Sequence, residues 1–306
     1  MAPSPEPGQV AGPVGVAIVS FNNEARLSAC LTPLIGDDRV VRIAVRDNGS
    51  TDSTRAALRA AASASPKLVL LGDGRNVGYG AGVNEAVRHL DAPVLLVCNP
   101  DTELRGDALG AMLRHLSDPS VQMVGPRLEL EDGSADHAGA RRAPTLRSSL
   151  CYGIPGMRGR SQYVDLEPGA TVEAISGSCM LLRRDTFDSL GGFDEAYWMY
   201  GEDLDLCLRL RERGGEIAYA RVARVVHHRG DGSAGQIRSF RVNWAFFDAM
   251  AIYYRQHLAP RHGARAASAC VVTGIRLAAL ATAARNELAR AVSRRGGAKH
   301  PSAVAA

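Results

Sequence analysis

Residues 14–125 alternate short apolar runs with longer segments whose apolar residues recur at helical spacing. Val14–Ser20, Val40–Val45, Lys67–Leu71 and Val94–Cys98 are the apolar runs, each of strand length. Apolarity that continuous over so few residues marks a strand covered on both faces, as in a parallel sheet. Between the runs, Glu24–Leu34 puts Leu27, Leu31 and Leu34 on one helical face, and Asp52–Ala64 is an alanine-rich helix stopped before Pro66. Gly80–Leu90 turns Val83, Ala86, Val87 and Leu90 inward, and Asp107–Leu116 does the same with Leu109, Met112, Leu113 and Leu116. Strand and helix in alternation predict an α/β domain with a doubly wound, mostly parallel sheet and helices on both faces. After Val124 the rhythm breaks, and residues 126–170, rich in Gly, Pro, Arg and Ser, read as a binding loop. Order returns at Thr171–Ser176. Glu202–Arg213 is a helix stopped by Gly214-Gly215, Glu216–Ala220 and Val222–His227 are two short strands, and the chain reads as helical from Ser239 onward.

Composition narrows the class. The 306 residues are 46% hydrophobic and 22% charged, the balance of an ordinary globular protein. A net charge of +4 is too mild to argue for nucleic acid as a partner. The six cysteines form no CxxC pair, which points to reduced, buried thiols and a cytoplasmic setting. Residues 1–13 carry four prolines and no apolar core of a leader, so they read as a disordered tail.

The candidate chemistry sits where the strands give out. Val40–Arg46 runs into Asp47-Asn48-Gly49-Ser50-Thr51-Asp52, Val94–Cys98 into Asn99-Pro100-Asp101, and Tyr200-Gly201-Glu202-Asp203 opens a helix. Ligands of open α/β sheets bind outside the carboxyl ends of the strands. Carboxylates there suit a hard cation, Mg²⁺ or Mn²⁺, and a phosphate-bearing ligand. Each stretch alone reads equally well as a turn and helix cap; their joint arrangement favours a metal-dependent nucleotide enzyme. Gly78-Tyr79-Gly80-Ala81-Gly82 is not a dinucleotide fingerprint, because Val83 stands where its third glycine would fall. Its glycines still admit a ligand close to the backbone, at a helix N-terminus suited to phosphate.

The blocks VAIVSFNNEARLSACL, RDNGSTDST, GRNVGYGAGVNEAV, VLLVCNPDTEL, ISGSCMLLRRDTFDSLGGFDEAYWMYGEDLDLCLRL and VVHHRGDGS occur in this order from about Val16 to Ser233. In them the chain resembles the family 2 glycosyltransferases of the GT-A fold, and within these the bacterial rhamnosyltransferase group. The resemblance implies a GT-A domain over 14–235, with a nucleotide-binding half at 14–125 and an acceptor half at 126–235, and a helical extension at 236–306. It implies inverting transfer from a nucleotide sugar, dTDP-rhamnose, to a glycan, lipid-linked or small-molecule acceptor. Ser20 and Asn22 would line the base pocket, Asp47 would contact base or ribose, and Asn76, Gly78 and Asn84 would hold the nucleotide and its diphosphate. Asp101 would be the metal-binding acid, with Asn99 in place of the first Asp of many relatives. Asp203, of the Glu202-Asp203 pair, would be the general base, kept ionised by its helix N-terminus. Asp205 lies on another helix face and reads as structural. Strand alternation sends His227 and His228 to opposite faces, so one of them, His227, would approach the metal or diphosphate. Trp198 and Tyr200, with Glu202, would form the acceptor side; aromatic core packing is an equal alternative for the two rings.

Two other classes fit the carboxylates. An NDP-sugar nucleotidyltransferase would carry a glycine-rich basic loop after the first strand, where Phe21-Asn22-Asn23-Glu24 stands. A non-catalytic nucleotide-sugar-binding relative would lack the acids, and all three are present. Ala266–Ala284 is apolar but interrupted by Arg276, and arginines follow it. That composition predicts an interfacial helix on an anionic membrane surface, at the inner face of the cytoplasmic membrane, over a full span. A soluble packed helix or a dimer contact is the competing reading.

Overall fold

The computed structural model describes residues 12–136, 139–145, 172–228, 240–260 and 265–296. Most of the tail, residues 146–170 of the loop, the Arg229–Ser233 turn and Lys299 lie outside the described residues. The chain divides into two compact units, Met1–Arg229 and Gly230–Ala306.

The first unit is built on one eight-stranded sheet. In chain order its elements are β1 (Val14–Ser20), α1 (Glu24–Ile35), β2 (Val40–Asp47), α2 (Thr54–Ala64), β3 (Leu68–Leu71), α3 (Tyr79–Val87), β4 (Val94–Cys98), β5 (Thr102–Leu104), α4 (Ala108–Leu116) and β6 (Val121–Glu129). There follow β7 (Ala140–Arg141), β8 (Ala174–Ile175), β9 (Cys179–Arg183), α5 (Arg184–Ser189), α6 (Glu202–Glu212) and β10 (Glu216–His227). The strand order is β3-β2-β1-β4-β9-β6-β10-β5, and β7 with β8 forms a separate two-stranded sheet. β1 runs parallel to β2 and β4, β2 to β3, and β6 to β10, so the mostly parallel sheet expected from the apolar runs is present. Period-two alternation splits its core between two faces. Val16, Ile18 and Leu96 pack with α1 and α4, whereas Ala17, Val19, Leu95 and Val97 pack with α3 and α6.

Three features differ from the sequence pattern. β9 enters the sheet centre antiparallel to both β4 and β6. An antiparallel neighbour needs no crossover helix, so no strand–helix rhythm announces Cys179–Arg183. β5, three residues long, pairs antiparallel with the end of β10. Finally, Glu216–His227 is one strand, not two. Its register on β6 shifts between Ala220, opposite Pro126, and Arg224, opposite Arg127. Proline has no N–H for the ladder, and the irregularity falls at that proline.

Asn84 lies on α3 and serves the scaffold. Its Nδ2 donates to the Phe193 carbonyl at 2.9 Å and to Glu195 Oε1 at 3.0 Å, and its Oδ1 accepts the Phe193 N–H at 2.9 Å. The side chain is buried, and these bonds tie α3 to the segment around Phe193. Asp205 is structural as expected: buried, it pairs with Arg209, whose guanidinium also caps the Leu190 and Gly192 carbonyls.

The second unit contains α7 (Phe240–Tyr253), continued by a π-helical turn at Tyr254–Leu258, and α8 (Arg265–Gly296). The two helices pack on each other. Val272 and Ala279, seven residues apart, are buried, while Leu277 and Leu280 are exposed.

Candidate active site

Because β1, β2 and β4 are parallel and in register, their carboxyl ends share one edge. Ser20 lies opposite Asp47, and Cys98, opposite Ile18, leads directly into Asn99-Pro100-Asp101. The sequence-predicted nucleotide residues divide here. Ser20 is buried, and its Oγ has no hydrogen-bond partner among the described residues. Asn22 adopts a left-handed φ of 54° and accepts the Thr51 N–H through Oδ1 at 2.8 Å, so it pins the Asp47–Asp52 turn against the end of β1. Asp47 is fully buried. Oδ1 accepts the Ser50 N–H at 3.2 Å, Oδ2 pairs with Arg55 at 3.0 Å, and no part of the carboxylate faces solvent. Beside the buried carboxylate the turn presents Arg55, a third exposed.

Asn48, which sequence reasoning passed over, donates through Nδ2 to the Gly78 carbonyl at 2.9 Å, and its buried Oδ1 is left without a partner among the described residues. Asn76 Oδ1 accepts the Gly78 N–H at 3.1 Å. Gly78 has φ 96°, and a Cβ there would run into the Trp198 carbonyl, so only glycine fits. The next residue, Tyr79, donates its N–H to that same carbonyl at 2.9 Å. Trp198 thus ties the glycine-rich helix start to the segment before α6. Trp198 and Tyr200 are half-buried, and Tyr200 has φ 70°.

Asn99 faces Ser178. Its N–H donates to the Ser178 carbonyl at 2.9 Å and its Nδ2 lies 3.4 Å from Ser178 Oγ. Among the described residues, buried Asp101 Oδ1 has only a long ionic approach, 3.5 Å, from His227 Nε2. The other ring nitrogen of His227 lies 2.8 Å from the wholly buried Asp136 Oδ2. Burial alone would push His227 down, but the bonds to Asp101 and Asp136 carry it up, to about 9. His228 points the other way, 2.8 Å from Glu131 and 3.0 Å from Glu103. The alternation argument thus assigns the rings correctly. A ligating histidine characteristically bonds a carboxylate through its second nitrogen, and His227 has that arrangement. Among the described residues no group of three or more His, Cys, Asp or Glu side chains is set to hold a metal by itself.

Glu202 and Asp203 open α6, preceded by Gly201 at φ 85°. Asp203 Oδ2 receives the Gly177 N–H at 3.0 Å and Arg141 Nη2 at 2.5 Å; Oδ1 accepts the Leu204 N–H at 2.8 Å. Tyr79 Oη donates to the Gly177 carbonyl at 2.6 Å, linking this corner to the glycine-rich helix. Glu202 is buried beside Asp203, and its Oε2 has no partner among the described residues. Burial, and then the Asp203 charge, push its carboxyl up to about 8. Arg141 and Asp136 lie in the long irregular segment, where no periodicity or motif marks them, whereas Gly177 falls in the ISGSCM block with no sign of this role.

A curled α/β sheet with helices on both faces and acids along its strand-end edge defines a GT-A glycosyltransferase. The chain belongs to the family described as glycosyltransferase like family 2, whose model matches residues 11–246. It is 33% identical over 235 residues to the N-acetylglucosaminyl-diphospho-decaprenol L-rhamnosyltransferase of Mycobacterium tuberculosis, across 70% of this chain and 75% of that protein. It is 27% identical to rhamnosyltransferase WbbL of Escherichia coli, across 70% of this chain and 83% of that protein. The fold is similar to that of a mannosyltransferase from Pyrobaculum calidifontis solved with GDP-Man and Mn²⁺, with a TM-score of 0.55 and 17% identity over 92% of this chain and 88% of that one. Family, fold and enzyme class therefore stand as expected, and sugar transfer is the reaction.

The Glu202 environment yields a prediction. A carboxyl whose folded-state value lies above its unfolded one binds a proton in the native state that the unfolded chain has lost. Stability then falls as pH rises through the interval from about 4.5 to about 8. Glu202→Gln removes this loss, so the variant should gain thermal stability relative to the parent as pH is raised from 5 to 9. Melting curves across that range test it; a difference independent of pH would show Glu202 to be ionised throughout.

Proposed function

We propose that this enzyme is an inverting, divalent-metal-dependent rhamnosyltransferase that moves L-rhamnose from dTDP-rhamnose to a hydroxyl of a lipid-linked glycan. The observation that carries the reading is the single strand-end edge on which the buried, unpartnered Ser20 Oγ, the Asp101–His227 pair and the α6 carboxylates meet. The donor and acceptor rest on likeness to the mycobacterial rhamnosyltransferase.

In this reading Ser20, Asn48 and the Asn76–Gly78 turn take up the nucleotide, with Asn22 and Asn99 fixing the turns around it. Asp101 and His227 would hold a Mg²⁺ or Mn²⁺ ion, which neutralises charge on the departing diphosphate. Asp101 Oδ1, buried without a close partner, fits a cation. The amides at the start of α3 suit the same anion. Trp198, Tyr200 and Glu202 would border the acceptor, whose hydroxyl oxygen bonds to the anomeric carbon as the carbon–phosphate oxygen bond breaks. The hydroxyl proton goes to Asp203, and dTDP leaves from the opposite face. No covalent intermediate is needed, so one base suffices.

Asp203→Asn should leave dTDP binding intact and slow transfer about 10²–10⁴-fold, the range for a lost general base. Rapid turnover by the folded variant would remove Asp203 from that role.

Donor and metal are tested together. A ligand bound only by the folded chain raises its melting temperature. dTDP-rhamnose with Mn²⁺ should do so, dTDP-rhamnose with chelator should do so less, and Asp101→Ala should erase the difference. Stabilisation and transfer with UDP-galactose instead would overturn the donor; an unchanged metal response in Asp101→Ala would overturn the metal site.

We also propose that the second unit attaches the enzyme to the anionic inner face of the cytoplasmic membrane. Ser268–Glu287 has a mean hydropathy of 1.2 and is long and apolar enough to cross a bilayer by length and composition, which is more than the sequence reading allowed it. Arg276 within it, the exposed Leu277 and Leu280, and the basic residues after it support a helix lying in the interface. Full-length protein should sediment with anionic vesicles at low salt, and Leu277→Glu/Leu280→Glu should not. Equal, negligible binding by both would leave a packed soluble helix or a dimer contact as the role of this unit.

A further inference from the structure

We propose that Arg141 is the positioning residue of Asp203, holding that carboxylate in the orientation from which it accepts the acceptor's proton. The inference rests on the reading of Asp203 as the base and adds a residue that no motif of the chain marks.

Arg141 Nη2 lies 2.5 Å from Asp203 Oδ2, and the Gly177 N–H meets the same oxygen at 3.0 Å. Both donors therefore crowd Oδ2. Oδ1 accepts only the adjacent Leu204 N–H among the bonds of the described residues, which leaves it lone-pair capacity for an incoming hydroxyl. The pair is largely shielded from water, with side-chain exposures of 19% for Arg141 and 11% for Asp203. In such a setting one charge without the other is costly, so the guanidinium fixes both the charge and the rotamer of the acid. Next to it, buried Glu202 is biased toward its neutral form, with the Asp203 charge among the causes. Of the two adjacent buried acids, Asp203 is the one the guanidinium contacts.

The fold delivers Arg141 to this point by a dedicated device. Arg141 pairs with Ala174, and Ala140 with Ile175, in the two-stranded sheet of β7 and β8. Ile175 is buried, packs beside Gly125 of the main sheet, and its carbonyl lies 3.9 Å from Cys207 Sγ on α6. Two residues further on, Gly177 supplies the second donor. The small sheet thus brings both donors to the first turn of α6 on a rigid mount.

Kinetics of Arg141→Gln and Arg141→Lys, each in the parent and in an Asp203→Asn background, test the proposal. In the parent background, Arg141→Gln should lower kcat about 10–100-fold, as loss of an outer positioning partner does. KM for donor and acceptor should stay nearly unchanged, and Arg141→Lys should recover part of the rate. In the Asp203→Asn background neither substitution should lower the rate further, because Arg141 acts through Asp203. A raised acceptor KM with kcat intact would overturn the proposal and make Arg141 a binding group. Equal losses in both backgrounds would overturn it too, while leaving the base assignment standing. Undiminished turnover by Asp203→Asn would instead strike the base reading itself. If Arg141→Gln does not fold, judged by dTDP-dependent thermal stabilisation, Arg141→Lys carries the same comparison: a kcat loss in the parent alone supports positioning, and no loss in the parent overturns it.

Discussion

Burying a carboxylate costs several kcal/mol unless something replaces its water, and this constraint organises the strand-end edge. Five acids there are buried or nearly so, and each is accommodated differently. Asp47 is neutralised by Arg55 and fastens a turn. Asp136 is held by His227 and fixes the ring. Asp203 is held by Arg141 and a backbone amide. Glu202 is pushed toward its neutral form by burial and then by the Asp203 charge. Asp101 keeps a buried oxygen with nothing closer, among the described residues, than a long approach from His227. Where a protein leaves such an atom unmatched, a ligand is the natural complement, and the residue that stays open is the one from which the metal reading starts.

These solutions depend on the sheet. Parallel strands carry their carboxyl ends to one side, so residues distant in sequence such as Ser20, Asp47 and Asn99 meet without any loop having to reach. The antiparallel β9 then does what a parallel strand would not. It starts at this edge, so Ser176, Gly177 and Ser178, just before it, stand beside Asn99 and Asp203. β10 arrives at the same edge from the other side and ends on the two histidines.

The legible part of the site was the part written in local pattern. Strands of pure apolar residues, the turn formers after them and the acid pair at a helix start each have a signature within a few positions, and period-two alternation foretold that His227 and His228 face opposite ways. The place of Asn84 on the glycine-rich helix gave no sign of its partner Phe193, over a hundred residues away in sequence. The pairing of Asp47 with Arg55 was hidden too, because turn formers after a strand do not say which cation folds over them. Arg141 and Asp136 were illegible: each reaches its site partner over a long sequence separation from an aperiodic segment. β9 and the single strand β10 escaped because an antiparallel insertion and a proline-linked irregularity interrupt the rhythm that revealed the others.

The Asn99-Pro100-Asp101 stretch shows how one substitution among ligands redistributes work. Asn99 spends its backbone on Ser178 and Thr102 and turns its side-chain amide toward Ser178, so it braces the strand end and brings no negative charge. With no group of three or more ligating side chains among the described residues, Asp101 and His227 offer too few donors for an ion that prefers six. In the proposed reading a donor diphosphate would supply the missing oxygens, and its charge would offset the carboxylate that Asn99 lacks. Metal and nucleotide sugar would then bind as a pair, each weak alone, and Asp136 gains its importance from this: with so few protein ligands, the aim of the one imidazole matters more than it would in a fully furnished site.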